Sequence, residues 1–328
     1  VDACIASDAE PPPALGLDRD HADDPPYGQQ ELAFYHPYYQ NHCYLPLCIF
    51  AGTAPALVTA SLRPGTRPTG ADKAMRLVRL LSYWRRHWPH THMLVRGASH
   101  GAPPEGIAVL TACRWTAFVL GLAGHAVVLR HAAPTSEAAR QLHHQRGAVA
   151  QAQGQAPPPR SRLDDACAAA AGSWAHPWRV GRKAEVRPAG DTPRFGVTSL
   201  AAPPLARRYA ALSGARGQGE NASKAVTRAR RRDRTAAPTF LAPALRWLRA
   251  CAAAVLHHAW RTSTFYQTAL AQAQPSTISL TRCTIAVQVT PSKDRRRLHL
   301  PRAGPVQALL QRVPTWLYVV PLPVGNTS

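Results

Sequence analysis

The stretch that most constrains this chain is a short apolar run that ends in acid. Leu15-Gly16-Leu17 lead into Asp18, Asp20, Asp23 and Asp24, four aspartates within seven positions. An apolar run of this length, stopped by charge, fits a short buried strand over residues 14–20 whose end reaches solvent. Side chains alternate along a strand, so Asp18 and Asp20 share one face. Carboxylates held together at a strand end suit a hard divalent cation, because Mg²⁺ takes oxygen ligands. A solvated acidic turn would have the same composition, so the aspartates alone leave both readings open. The residues that follow are ordered in a more telling way: Pro25, Tyr27, Gly28, Gln30 and Glu31, then Tyr38-Tyr39, then Tyr44, Pro46 and Leu47.

Charge points in the same direction as that acid cluster, but from the opposite sign. The chain of 328 residues carries 39 Lys and Arg against 18 Asp and Glu, a formal charge of +21. Eight of the acids fall in residues 1–31, so the remainder is more basic than the average. Such a field attracts polyanions and favours nucleic acid. The 31 prolines exceed the usual ~5% and predict irregular segments. Seven scattered cysteines without a Cys-x-x-Cys pair indicate neither zinc nor a disulfide framework, and they read as reduced thiols. No apolar run approaches the ~20 residues of a membrane span, and no signal peptide is visible, which places the chain in the cytoplasm. Val1 rather than Met opens the chain, which reads as a fragment or a processed product.

Taken in order, the pattern predicts alternating strands and helices. Residues 1–13 are a polar lead-in. Leu45–Phe50 and Ala56–Leu62 read as a strand hairpin turning at Gly52. Asp72–Trp88 is a helix with Leu77, Leu81, Trp84 and Trp88 on one face, Asp72 in its first turn and Pro89 as its stop. Met93–Val95 is a strand, Pro104–Arg114 a helix and Ala117–Leu122 a strand. Residues 130–178 show little pattern and read as linker or surface insertion, with a helical Ala run at 168–171. Strands return at 183–187 and 194–199. Ser213–Asp233 is an Arg-rich helix containing Glu220. Pro243–Arg261 is a helix with Leu245, Leu248, Ala252, Val255 and Leu256 as its buried face. Ser276–Val289 holds two short strands, and residues 291–328 form a basic, Pro-rich tail.

The order of residues from Asp18 to Leu47 resembles the catalytic strand of bacterial insertion-sequence transposases of the DDE type, the group-one DDE transposase domain. That family carries Leu-Asp-x-Asp-x-Thr-Asp-Asp-Pro-x-His-Gly-x-Gln-Glu, then a Tyr-Tyr pair and a Tyr-x-Pro-Leu strand. Two further stretches match it: Gly181–Glu185 with Arg194–Leu200, and Arg216 to Asn221. The resemblance implies an α/β, ribonuclease-H-like (retroviral-integrase-like) mixed-sheet core over residues 14–122. It further implies an inserted β-region within 123–205 and a helical completion over 206–290. It also implies cut-and-paste transposition, in which DNA strands are cleaved and joined at transposon ends, with two Mg²⁺ or Mn²⁺ ions ~3.5–4 Å apart.

Carried over residue by residue, the family's three carboxylates fall at Asp20, at position 98 and at Glu220, with Asp18 as a further candidate metal ligand. Position 98 is Ala98, where the family has Asp. Tyr27 stands at a family His and Ser213 at a family Tyr, while Arg216 matches. The family's N-terminal helical DNA-binding region has no counterpart before residue 14. Arg216, Arg228, Arg230, Arg231, Arg232 and Arg234 are candidate contacts to the DNA backbone, since guanidinium groups pair with phosphate oxygens in two-pronged fashion. Implied partners are double-stranded DNA with transposon end sequences and a second copy of the chain in a DNA complex. The implied location is the bacterial nucleoid. The alternative expectation is an inactive DNA-binding remnant of a transposase.

Overall fold

A computed structural model describes residues 4–5, 10–52, 56–97, 102–124, 126–188, 190–200, 223, 226, 239–263, 265, 267–268, 270–271, 273–278, 288–291 and 296–299. Its frame is a nine-stranded mixed sheet, and β1 (Ala14–His21) lies inside it. A small exposed hairpin follows, β2 (Phe34–His36) with β3 (Asn41–Cys43), and places Tyr38 and Tyr39 in its turn. Then come β4 (Leu47–Ala51) and β5 (Ala56–Ser61), antiparallel partners joined past Gly52 at a φ of 84°. A positive φ suits glycine there because it has no Cβ to clash.

Helix α1 (Gly70–His87) begins as its sequence dictates. The Asp72 amide donates to Thr69 Oγ1 at 3.1 Å, and the Thr69 amide donates to Asp72 Oδ2 at 3.3 Å. This reciprocal box satisfies two amides that the helix itself leaves open. Leu77, Leu80, Leu81 and Trp84 are buried, while Arg79, Arg85 and Arg86 are exposed. The chain returns as β6 (His92–Gly97), α2 (Pro104–Ala112) and β7 (Thr116–Leu122).

Through β5-β4-β1-β6-β7 the sheet has the ribonuclease-H-like order, with β4 and β5 antiparallel and β6 and β7 parallel to their neighbours. Leu15 and Leu17 pack with the apolar face of α1 and with Ile107 and Leu110 of α2. Burying a side chain of this size contributes about 1.5–3 kcal/mol, so this face is the main core.

Residues 130–178 are not the linker that their composition suggests. Ala126–Ala152 form a 27-residue helix, α3, and Ser161–Ala169 form β8. The Ala run therefore begins as strand, not helix. β8 pairs along its whole length with one edge of β9 (Trp178–Arg187), and β10 (Gly190–Asp191) pairs with the end of β9 on its other edge. On that same edge β9 pairs with β11 (Arg194–Thr198), which joins β7. Tertiary pairing overrides helix propensity there. Ala139 of α3 packs on Ala184 and Val186 of β9, small residues that let helix and sheet approach.

Helix α4 (Leu241–Thr262) covers the opposite face of the sheet, beside β4 and β5. Its buried side is not the expected one. Trp247, Ala250 and Cys251 are buried, while Leu245, Leu248 and Leu256 are 60%, 55% and 68% exposed. Beyond it lie the short helix α5 (Pro275–Ile278) and the hairpin β12 (Gln288–Pro291) with β13 (Arg296–His299). A helical turn thus opens the stretch read as two strands, and β13 falls within the expected patternless tail.

Candidate active site

Alternation along β1 sends Leu15 and Leu17 toward α1 and sends Gly16, Asp18 and Asp20 toward α4. In register, Asp18 lies opposite Phe50 and Asp20 opposite Cys48. Phe50 and Cys48 pack on Trp247 and Cys251 of α4 and on Val226. The two aspartates therefore stand on the rim of a small apolar patch. Burial pushes the Cys48 thiol up, with Cys251 and Asp20 adding to the effect. That thiol stays neutral and acts as core rather than as a ligand.

The two aspartates have different neighbours. Asp18 is buried, and its Oδ2 accepts from Arg96 Nη2 at 2.6 Å. Arg96 sits beside it in the parallel ladder, on β6. A buried charge pair of this kind is held because either partner alone would be far costlier in the interior. Asp20, one step toward the strand end, is half-buried. The ladder between β1 and β6 ends at the pair Arg19 and Gly97, so β6 ends next to Asp20.

The acidic turn after β1 is tied down rather than loose. Asp24 and Tyr44 exchange backbone hydrogen bonds of 3.0 and 2.9 Å, and the Tyr44 hydroxyl donates to the Glu31 carbonyl at 2.7 Å. Glu31 Oε2 accepts from the Phe240 amide at 2.7 Å, at the very start of α4. A carboxylate at a helix N-terminus meets open amides and the positive end of the helix dipole. Glu31 thereby docks α4 to the loop that follows β1. Tyr39 lies in the same region: burial, then Asp23, Tyr38, Cys43 and Asp20, raise its hydroxyl to about 12. This ring stays a neutral phenol at neutral pH.

Of the residues singled out in sequence, the structure brings Asp18 and Asp20 to one face. Ala98, Arg216, Glu220, Arg228, Arg230, Arg231, Arg232 and Arg234 lie outside the described residues. Among the described residues no three His, Cys, Asp or Glu side chains come together as a metal site. Also among them, no helix is long and apolar enough to cross a membrane. Two roles escaped the sequence reading. Arg96 gave a signal, a lone cation in an apolar strand, whereas the Glu31 cap links positions 209 apart and gave none.

The family model described as Transposase DDE domain group 1 matches residues 1–321. A comparison with curated proteins finds no match. Among solved structures, the chain is similar to the piggyBac transposase, determined by cryo-EM in a synaptic complex with hairpin DNA. The two share 11% identity and a TM-score of 0.45, over 97% of this chain and 60% of that one. The chain thus spans about three-fifths of that transposase. Proteins with this domain generally use divalent metal ions. A family match across nearly the whole chain, on a sheet of ribonuclease-H-like order, makes this chain a member of the DDE-domain group 1 transposases.

Proposed function

We propose that the chain derives from a transposase that cleaves and rejoins DNA at transposon ends, and that its chemistry is impaired at one ligand. The observation that carries this is Asp20, a half-buried carboxylate at the end of β1, beside the end of β6 at Gly97, one residue before Ala98 in the sequence. Hard oxygen donors of this type fit Mg²⁺ or Mn²⁺. Asp20 and Glu220 would hold the metal. Asp18, engaged by Arg96, instead fixes the strand on which Asp20 sits. When bound, such ions activate the attacking water and stabilise the leaving oxygen of an in-line displacement at phosphorus. Asp20 contributes negative charge and orientation, and Trp247 and Phe50 keep the wall behind it dry. Arg216 and the cluster Arg228, Arg230, Arg231, Arg232 and Arg234 contact the DNA backbone, which predicts binding that weakens steeply with salt. The DNA is double-stranded and carries the transposon ends, two copies of the chain meet on it, and the setting is the bacterial nucleoid.

Alanine has no ligand atom, so Ala98 favours a second reading: an inactive remnant that still binds DNA. One comparison separates the two. Mn²⁺ affinity is measured by calorimetry for the wild type and for Ala98→Asp, alongside cleavage of a supercoiled plasmid. A gain of tenfold or more in affinity, with cleavage only in the variant, supports the impaired-enzyme reading. Equal affinity in both chains removes position 98 from the site. Cleavage by the wild type overturns the impairment.

A further inference from the structure

Helix α4 carries apolar residues on every side, yet only one side meets the sheet. Trp247 and Cys251 pack on β4 and β5. Leu241, Leu245, Leu248 and Leu256 stand 77%, 60%, 55% and 68% exposed on the side turned away. Ala252, among them, is exposed too, and Val255 and Ala259 are partly exposed. A helix that is apolar all round is ordinarily buried all round. From Leu241 to Thr262 the helix contains no acidic residue, and Arg249 is the charge beside the outward face.

The outward residues are spaced as a seam. Leu241, Leu245, Leu248, Ala252, Val255 and Ala259 follow one another at intervals of four, three, four, three and four positions. That is the heptad spacing with which one helix packs along another. The order of sizes then selects the partner and its direction. The N-terminal half of the seam is leucine throughout, and the C-terminal half is Ala, Val and Ala. Two parallel copies would press leucine on leucine at one end and leave a gap at the other. Two antiparallel copies, related by a two-fold axis beside Ala250, set Leu241 of one against Ala259 of the other, Leu245 against Val255 and Leu248 against Ala252. Each layer then holds one large and one small side chain, which keeps the two helices evenly spaced. Beside the seam, Leu256 meets Ala242 in the same way. Each helix N-terminus also comes to lie by the C-terminus of the other copy, where the opposed ends of the helix dipoles attract.

We propose that the outward face of α4 is the surface on which two copies of this chain meet, helix against helix and antiparallel. The inference deepens the reading in which two copies meet on DNA, and rests on it for what holds them there. Area sets the strength. A helix of 22 residues is about 33 Å long, and a strip about 10 Å wide along it spans roughly 330 Å² on each copy. Standard stable interfaces bury ~800 Å² per partner. The pair is therefore weak between free copies, and shared DNA tightens it by raising their local concentration. Arg249 of each copy stands near its counterpart across the two-fold axis. Salt screens that repulsion, so pairing strengthens as salt rises, whereas DNA binding weakens.

The test uses the full chain without DNA, by sedimentation equilibrium across a range of protein and salt concentrations. The wild type should dimerise reversibly at high concentration, and more so at high salt. Leu245→Gln with Leu248→Gln should weaken the pair by about tenfold or more. The thermal midpoint of that variant in dilute solution should stay within a few degrees of the wild type, because both side chains are exposed there. Arg249→Gln should strengthen pairing at low salt and flatten its salt dependence. Direction is read by cysteine cross-linking against the background of the unsubstituted chain. Leu241→Cys mixed with Ala259→Cys should link, and Leu241→Cys alone should not. A wild type that stays monomeric at every concentration overturns the proposal. So do pairing left intact by the leucine changes, pairing weakened by Arg249→Gln, and linkage between two Leu241→Cys chains. A leucine variant that loses stability in dilute solution overturns it as well, because the face is then covered by its own chain. A wild type that binds no duplex but shows the pairing pattern keeps the interface and refutes the DNA reading alone.

Discussion

The helices α1 and α4 cover opposite faces of the same sheet, and they teach opposite lessons about reading a helix from its sequence. In α1 the apolar residues lie on one side and Arg79, Arg85 and Arg86 on the other, so the period names the buried face. In α4 apolar residues surround the axis, with Ala, Leu, Trp and Cys on nearly every side. Period then leaves the orientation undetermined, and shape decides. Trp247 fills the space against Phe50 and Cys48, and the leucine stripe turns outward. The two helices also start differently. α1 is capped by its own Thr69, while α4 takes its cap from Glu31, in the loop after β1.

That comparison can be broken at its strongest point first. Trp84→Ala and Trp247→Ala should each destabilise the chain by about 3–5 kcal/mol in urea unfolding, because both rings are fully buried. Leu245→Ala should change stability by less than about 0.5 kcal/mol. A loss of 2 kcal/mol or more at Leu245 would restore the leucine face as the buried one.

Next comes the ion pair between neighbouring strands β1 and β6. Arg96→Met removes the cation beside buried Asp18 and should cost about 3–5 kcal/mol. The double change Asp18→Leu with Arg96→Met should recover most of that loss, since an apolar pair of similar volume is often neutral. A double variant as unstable as the single would mean that the pair does more than satisfy itself.

The smallest effects concern the caps. Thr69→Ala should cost about 1 kcal/mol, read as a shift in the urea midpoint. Glu31→Gln weakens a charged cap and should cost about 0.5 kcal/mol. Its amide-exchange signature should appear at the first turn of α4 rather than in α1. Protection lost equally in both helices would sever the assignment of Glu31 to α4.

Most of the ribonuclease-H-like core was legible because its signals are local. The strand ending at Asp20, the hairpin turn at Gly52 and the Asp72–Trp88 helix each announce themselves from local residues. What escaped depends on partners far along the chain. Residues 161–169 become a strand only because β9 offers an edge, and α3 is held by the small residues Ala139 and Ala184. Of the site, the aspartates were visible by alternation. The separation of their roles was not, because it needs Arg96 in register across the sheet.

Strand β7 carries a consequence for how the chain is made. Its two neighbours are β6, which precedes it closely, and β11, which begins 72 residues after Leu122. During synthesis at roughly 5–20 residues per second, that edge waits for several seconds before its partner is even translated. An apolar strand with open amides and carbonyls is a template for pairing with another chain. Whatever covers β7 in that interval, whether the nascent α3 or a chaperone, sets the yield of folded protein. Slowing the ribosome between codons 123 and 194 should therefore send more of the product into aggregates.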